Sequence, residues 1–333
     1  MHFNRTNRRE LITLLGCTAA GCVAPAIRAT AQPSRKVPRV GILTPAQTDA
    51  TPIFEAFRRG LRDLGYVEGK SIILDFRFAK GSLDALPDLA AELVRIPVDV
   101  IVADSSNAAR AALDATHTIP IVLGAGGDPV LLGLVPSIGR PGGNFTGMTI
   151  RADVLSSKRV DLLKLAFPGI TRVTILMHAK SAAAPHSLAA AQETARRLGM
   201  SSVTLGAGTP DELRALKSAD LSGSDALAVL PHAMFWNHRA TIIALAQAAR
   251  LPAIYPEREF ADDGGLIAYG PNIPDLFRHA AERVDRILRG AKPGDLPFDE
   301  PARFDFIVNL RAARALRLAL SPEIVTAANE VIE

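Results

Sequence analysis

The alternation of short apolar runs with longer amphipathic stretches constrains the fold of this chain more than any other feature. The run 39–43 is followed by 54–64, where apolar residues recur at helical spacing up to Gly65. The run 119–123 is apolar throughout, as strands buried on both faces of a sheet are. This alternation predicts an α/β fold in which parallel strands are joined by helical crossovers.

Further runs along the chain repeat the pattern. Predicted strands also lie at 71–76, 98–103, 172–177, 202–205, 226–230, 252–255, 265–268 and 304–308. Predicted helices also lie at 83–94, 107–113, 152–165, 188–198, 211–218, 238–249, 273–288 and 310–318. The alternation starts again after a glycine-rich segment, so the chain carries two successive modules. We predict two doubly wound parallel-sheet lobes whose strand ends surround a shared cleft.

The N-terminus has the parts of an export signal. Arg5, Arg8 and Arg9 form a basic start, and residues 11–27 are apolar and uncharged. Small residues at Ala29 and Ala31 suit a cleavage site, so we predict a signal peptide over residues 1–31. The alternative is a membrane anchor, but the apolar run is short for one and is interrupted by glycine and proline.

Export and anchoring have alternatives of their own. Residues 7–12 resemble a twin-arginine signal, which we favour over general secretion. Lipidation at Cys17 or Cys22 is an alternative that we do not favour. Both cysteines of the chain lie in this segment, so the mature chain is predicted to have no disulfide and no cysteine metal site. We expect a periplasmic protein with no membrane span in its mature chain.

The charge of the chain argues against one class of function. The formal net charge is +4, and most of this excess lies in residues 1–31. The remainder is close to neutral, has no basic run and contains few aromatic residues. Nucleic-acid binding is therefore not expected.

The glycine-rich segment, residues 119–148, places a carboxylate and an amide among flexible backbone. Eight of its thirty residues are glycine, and Asp128 and Asn144 lie among them. The stretch 124–129 follows a strand and is predicted to precede a short helix, where backbone N–H groups can hold an anion. It lacks the pattern of a phosphate loop. Asp128 either caps that helix or binds a ligand amine.

Small polar residues follow other predicted strands at the same edge. Ser105 and Ser106 lie between a strand and a helix, where they could cap the helix and donate to a ligand at once. The dipole at the start of the helix favours a carboxylate there. Thr44 ends the first strand, and Lys180 and Ser181 hold the matching place in the second module. Any one of these residues has a structural explanation, and their shared edge is what favours a binding site.

The aromatic and charged candidates are more ambiguous. Phe235 and Trp236 follow a strand of the second module, where they either clamp a flat ligand or pack at the edge of the lobe. Glu257 and Glu259 alternate with an arginine and are predicted to lie in a solvated turn. A metal site among histidines His178, His186, His232 and His238 is disfavoured, because none of them has the spacing of a metal motif.

The chain also resembles a known family along nearly its whole length. The order and spacing of the matching pieces, more than any single piece, carry the resemblance. The pieces are residues 8–16, 57–61, 65–69, 119–122, 127–130, 140–144, 146–147, 251–255, 264–267, 269–270, 291–293 and 295–297. They are similar to the substrate-binding proteins of ABC transporters, in the tryptophan-binding-like group of the type I periplasmic binding protein fold.

The resemblance implies two lobes joined by a three-segment hinge, with a ligand enclosed between them and delivered to a membrane permease. On this basis the first lobe is expected to comprise 37–148 and 272–292, and the second 149–271 and 293–333. The loop that carries Lys180 departs from the asparagine- and proline-rich loop of many relatives, and Lys180 would favour an acidic ligand.

We therefore expect a periplasmic solute receptor of an ABC import system, favouring an amino acid or an aromatic carboxylate. The expected ligand residues are Thr44, Ser105, Ser106, Asp128, Asn144, Lys180, Ser181, Phe235 and Trp236. No catalytic residue, cofactor or metal is expected, and the protein is expected to be a monomer. The alternatives are an exported enzyme and a solute receptor that serves a sensor.

Overall fold

Two sheets flanked by helices form the framework of the protein. The computed structural model describes residues 36–333, so the predicted signal peptide lies outside the described residues. The strands are β1 Arg39–Thr44, β2 Ile73–Phe78, β3 Val100–Ala103, β4 Ile121–Gly126, β5 Phe145–Thr149, β6 Arg172–His178, β7 Ser201–Ala207, β8 Ala226–Val229, β9 Ala253–Tyr255, β10 Ile267–Pro271, β11 Phe304–Asn309 and β12 Glu330–Ile332.

Helices connect most of these strands. They are α1 Pro52–Asp63, α2 Leu86–Arg95, α3 Ser106–Ala115, α4 Ala152–Ala166, α5 Ala184–Arg197, α6 Pro210–Ala215, α7 Ala233–Asn237, α8 Arg239–Ala248, α9 Arg258–Asp262, α10 Ile273–Leu288, α11 Leu310–Leu316 and α12 Pro322–Ala327. None of the helices within residues 36–333 combines the length and apolar character that crossing a membrane requires.

The order of strands confirms the α/β prediction. The first sheet has the order β2-β1-β3-β4-β5 and is parallel throughout. The second sheet has the order β12-β11-β10-β9-β8-β6-β7, and its β10–β11 pair is antiparallel. In each sheet the chain moves first to one side and then to the other, after β1 in the first and after β6 in the second. Such reversal points are where open α/β sheets bind ligands.

The chain passes between the two sheets three times. The first passage leads from β5 to α4, the second from β10 to α10, and the third from α10 to β11. Helix α10 packs on the first sheet, where Phe277 and Leu276 share a core with Val40 and Val122. Below, the first lobe means the part built on the first sheet together with α10, and the second lobe means the part built on the second sheet.

The glycine-rich segment has two glycines that the packing requires. A Cβ on Gly124 would lie 2.5 Å from the Phe277 ring, so this glycine allows α10 to approach β4. Gly147 has a φ of +144° and a Cβ there would lie 2.3 Å from the Leu123 carbonyl oxygen. This glycine lets β5 pair closely with β4 immediately before the first passage between the lobes.

The sequence prediction is wrong in this same segment. Phe145–Thr149 forms β5 although its glycine and asparagine neighbours favour a loop, because pairing with β4 overrides local propensity. The predicted short helix after Pro129 is absent, and residues 129–133 form turns instead. Leu134 N donates to the Pro129 carbonyl at 2.8 Å, which closes these turns.

Candidate ligand-binding site

A cavity lies where the carboxyl ends of the two sheets meet. It encloses about 900 Å³ of space free of atoms, part of which is open to solvent. The first lobe lines it with residues that follow β1 and β3, with the end of β4 and with the start of α10, and the second lobe with residues that follow β6, β8 and β9. The passage from β5 to α4 adds Ile150 and Ala152. Loops and helix starts from both lobes therefore converge on one space, which is the candidate binding site.

Two long helices begin at this cavity from opposite lobes. Helix α3 begins at Ser106 and α5 begins at Ala184, and both of these residues line the cavity. Ser105 Oγ accepts a hydrogen bond from Ala108 N at 3.4 Å, and Ser106 Oγ accepts one from Gly127 N at 2.9 Å. The first N–H groups of a helix lack intrahelical partners and carry partial positive charge. This part of the cavity therefore suits an anion such as a carboxylate.

Asp104 is a buried carboxylate in the wall of the first lobe. It is 8% exposed, and its Oδ2 accepts a hydrogen bond from Thr44 Oγ1 across the reversal point between β1 and β3. Its Oδ1 is buried and has no hydrogen-bond partner. Burial raises the pKa of Asp104 to about 7, although hydrogen bonds from Thr44 and Ser105 lower it. Near neutral pH this group therefore gains or loses a proton easily.

Glu257 is a second buried carboxylate, in the wall of the second lobe. It follows β9 after Pro256, is 7% exposed, and its Oε2 has no hydrogen-bond partner. Burial raises the pKa of Glu257 to about 8, while the charge of Arg159 lowers it and that of Glu259 raises it. The prediction that Glu257 lies in a solvated turn is wrong, since the start of α9 folds inward against the cavity.

Arg159 of α4 lies buried behind Glu257. It is 1% exposed, and its Nε donates to the Tyr269 carbonyl at 2.7 Å. Its Nη2 makes a longer contact with the Pro256 carbonyl at 3.5 Å, and Nη1 has no partner. The guanidinium thus fixes the backbone of β10 and the end of β9, and its charge reaches Glu257 without a hydrogen bond to its Oε2.

Two histidines span the reversal point of the second sheet. His178 ends β6, and His232 follows β8 and lines the cavity. Their rings stack with centroids 3.6 Å apart. Burial lowers the pKa of His178 to about 4 and that of His232 well below its usual value. Both rings are therefore neutral at physiological pH, and protonation of both would place two positive charges in contact. Among residues 36–333 no group of three or more histidine, cysteine or acidic side chains is arranged to hold a metal ion.

The aromatic pair predicted from the sequence divides between core and cavity. Phe235 is fully buried and packs with Met234 in the core of the second lobe. Trp236 lines the cavity, and the Arg239 guanidinium lies 5.1 Å from the centre of its ring. Phe277 lines the cavity from the first lobe. The apolar part of the site is therefore formed by aromatic residues from both lobes.

Four of the residues predicted to bind a ligand line this cavity, namely Ser105, Ser106, Ser181 and Trp236. Thr44 is fully buried and supports Asp104 from behind. Asn144 lies at the opposite edge of the first sheet, where its Nδ2 donates to the Ile119 carbonyl at 2.7 Å and the Thr116 carbonyl at 3.1 Å. Thr44 and Asn144 therefore have structural roles, Thr44 as a partner of Asp104 and Asn144 as a donor to backbone carbonyls.

Asp128 also lies outside this cavity. Its Oδ1 accepts hydrogen bonds from Val130 N at 2.8 Å and Leu131 N at 3.2 Å. Its Oδ2 lies 3.3 Å from Arg151 Nε, at the start of the passage from β5 to α4. The carboxylate thus caps a turn and pairs with a cation of the chain. The carboxylates in the cavity wall that keep one oxygen without a hydrogen-bond partner are Asp104 and Glu257.

Lys180 joins the two lobes across the mouth of the cleft. Its Nζ lies 2.8 Å from Asp84 Oδ2 of the first lobe. Asn107 of α3 adds two contacts, since its Nδ2 donates to the Lys180 carbonyl at 3.3 Å and its Oδ1 accepts from Ala182 N at 3.4 Å. The hydrogen bond with Asp84 raises the pKa of Lys180. These contacts link the two lobes directly.

We expect Asp84→Ala and Lys180→Ala to weaken ligand binding equally, by at most about fivefold, because exposed ion pairs contribute little and are screened by salt. Titration calorimetry at low and high salt measures both losses, and the high-salt losses should be smaller. The exchange of both charges, Asp84→Lys with Lys180→Asp, is the matched control and should restore affinity. A far larger loss for Lys180→Ala alone would instead mean that Lys180 contacts the ligand.

Sequence reasoning missed three groups that shape the site. Glu257, His232 and the start of α5 all follow strands at the same edge as Ser105. The rule that selected Ser105, a polar group directly after an apolar run, would have selected Glu257 as well. Its alternation with Arg258 and Glu259 gave the opposite interpretation, because a charge pattern does not reveal which side chain turns inward.

Comparison with known proteins agrees with this architecture. The family described as ABC transporter substrate binding protein matches residues 39–332. A tyrosine-binding protein from Clostridioides difficile (strain R20291) is 27% identical over 263 residues, which cover 79% of this chain and 75% of the relative.

Two solved structures are similar over most of their length. A conserved domain protein from Vibrio cholerae superposes with a TM-score of 0.82 at 25% identity, covering 89% of this chain and 100% of the other. A domain from Streptococcus pneumonia in complex with L-Trp superposes with a TM-score of 0.81 at 22% identity, covering 89% and 99%.

The family match extends over both sheets and all three passages between them. Members of this family bind small molecules for ABC transporters, act outside the cytoplasm and work with a membrane permease. The two-lobed fold with its ligand cavity at the strand ends is that of type I periplasmic binding proteins. The chain belongs to the family of ABC transporter substrate-binding proteins.

Proposed function

We propose that this protein captures an aromatic amino acid, or a related aromatic carboxylate, between its lobes and delivers it to the permease of an ABC import system. The observation that carries the proposal is the pairing of two helix starts, at Ser106 and Ala184, with the ring of Trp236 in one cavity. A ligand with a carboxylate at one end and a flat apolar group at the other matches both parts.

The relative from Clostridioides difficile supports the choice of ligand. Its name describes a tyrosine-binding protein, and it matches this chain over both lobes. The residues that we propose to contact the ligand are Ser105, Ser106, Ser181 and Trp236, which line the cavity. Thr44, Asp128, Asn144, Lys180 and Phe235 are proposed to support the site without contacting the ligand.

The proposed cycle relies on closure of the lobes. The first lobe is proposed to comprise 37–148 and 272–292 and the second 149–271 and 293–333, and the packing of α10 on the first sheet supports this division. A ligand drives closure only if it binds the closed form more tightly than the open form. Contacts from both lobes in one cavity meet this requirement. The closed surface is then what the permease recognises, in the periplasm after export by a twin-arginine signal.

Thermal unfolding of the purified protein with a panel of solutes tests the ligand class. We expect L-tyrosine, L-tryptophan or L-phenylalanine to raise the melting temperature, because ligand at a hundred times its dissociation constant adds about 2.7 kcal/mol to the free energy of unfolding. Sugars, nucleosides and short aliphatic amino acids serve as controls and should give no shift. A shift with a sugar or nucleoside, and none with any aromatic compound, would contradict the proposal.

A further inference from the structure

Two buried carboxylates line the cavity from opposite lobes, and each keeps one oxygen without a hydrogen-bond partner. Asp104 belongs to the first lobe and Glu257 to the second, and both are more than nine-tenths buried. Asp104 Oδ1 and Glu257 Oε2 each lack a hydrogen-bond partner. Buried polar groups are nearly always hydrogen-bonded, and an unpaired one destabilises the folded protein. Two such groups in one ligand cavity indicate that the ligand supplies the missing donors.

The cations of the chain near these carboxylates make no hydrogen bond to their free oxygens. Arg159 donates to the carbonyls of Tyr269 and Pro256 and acts on Glu257 only through its charge, and Lys180 pairs with Asp84. The stacked rings of His178 and His232 are neutral, since burial lowers the pKa of each. The other charged group that acts on Glu257 is Glu259, which repels negative charge.

We propose that the ligand carries a cationic amine held between Asp104 and Glu257, and that its capture releases a proton from this pair. The inference rests on the proposed function and narrows it from aromatic carboxylates to aromatic amino acids. An ammonium group has three donors and no acceptor, so one such group has enough donors for a carboxylate from each lobe. Because the two carboxylates belong to different lobes, such a group also favours closure.

The direction of the proton transfer follows from burial. Without ligand, burial raises the pKa of Asp104 to about 7 and that of Glu257 to about 8, so the pair holds protons at neutral pH. A bound ammonium favours the ionised carboxylate and lowers its pKa. The proton that held the carboxyl group neutral then leaves for solvent. Affinity for an amine-bearing ligand should therefore rise with pH, by up to about tenfold per pH unit below 7, and level off above 8.

Three compounds that share one aromatic ring and differ in their amine and carboxylate groups test the inference. They are L-tyrosine, 3-(4-hydroxyphenyl)propanoate, which lacks the amine, and tyramine, which lacks the carboxylate. Titration calorimetry at pH 7 should show L-tyrosine binding at least about a hundredfold more tightly than the propanoate. Repeating the titration in two buffers of different ionisation enthalpy should show release of about one proton with L-tyrosine and none with the propanoate.

Variants assign the effect to the two carboxylates. Glu257→Gln and Asp104→Asn should each reduce the number of protons released. Each should also lower the ratio of the affinity for L-tyrosine to the affinity for the propanoate by tenfold or more. The matched control is Glu323→Gln, which removes an exposed carboxylate of the second lobe outside the cavity wall and should keep both the preference and the proton release.

The outcomes separate this inference from the proposed function. Equal binding of L-tyrosine and the propanoate, or tyrosine binding without proton release by the wild type, would overturn the inference and leave an aromatic carboxylate as ligand. Failure of all three probes, together with that of the other aromatic amino acids, would overturn both. The number of protons released is measured on the wild type, so this measurement tests the inference even if a variant fails to fold.

Discussion

Arg159→Met is expected to lower the free energy of unfolding by about 3 kcal/mol, the largest stability loss that we expect from a single change outside the glycines. Arg159 is 1% exposed and donates to the carbonyls of Tyr269, in β10, and Pro256, which directly follows the neighbouring strand β9. Methionine fills a similar volume but donates nothing, so both carbonyls lose a donor and Glu257 loses its cationic neighbour.

Denaturant unfolding of the ligand-free protein measures this loss. The control is Lys158→Met, which removes an exposed cation from the adjacent position of α4 and should change stability by less than about 0.5 kcal/mol. Equal stability of the Arg159→Met variant and the wild type would mean that the buried guanidinium does not stabilise the end of β9.

Ser181→Trp is expected to abolish ligand binding, with a loss of affinity of at least about a hundredfold. Ser181 lines the cavity where the loop after β6 meets α5, and its side chain makes no hydrogen bond among the described residues. A tryptophan side chain there would take up part of the space between the helix starts that we assign to the ligand. The backbone hydrogen bond from Ser181 N to the His178 carbonyl does not depend on the side chain.

Calorimetric titration with L-tyrosine and thermal unfolding without ligand measure the two consequences separately. The melting temperature of the Ser181→Trp variant should stay close to that of the wild type, because the cavity is open to solvent. The matched control is Ala182→Trp, since Ala182 is exposed and lies outside the cavity wall. Wild-type affinity in the Ser181→Trp variant would place the ligand somewhere else.

The sequence was sufficient for the strands and helices that depend on local pattern. Helix α10 was predicted with the same bounds, Ile273–Leu288, because its apolar face is regular and Asn272 caps its start. Strand β5 was missed because its residues favour a loop, and only pairing with β4 makes them a strand. Local preference and tertiary pairing agree in the first case and conflict in the second.

The site was harder to predict than the fold. The edge of the sheets was identified correctly from residues that follow strands, and Ser105, Ser106, Ser181 and Trp236 do line the cavity. The partners of Lys180 and Asp128 were beyond sequence reasoning, because Asp84 and Arg151 approach them only through the tertiary fold. Whether a given carboxylate lacks a partner depends on all of its neighbours in the folded protein. The alternation of charges around Glu257 therefore predicts a solvated turn, whereas the side chain is buried.

A crystal structure of the protein grown with L-tyrosine tests the central claim most directly. We predict the ligand in the cavity between the lobes, with its carboxylate at the starts of α3 and α5, its ring against Trp236 and its amine between Asp104 and Glu257. A ligand bound outside this cavity, or an empty cavity in a closed protein at saturating tyrosine, would contradict the account.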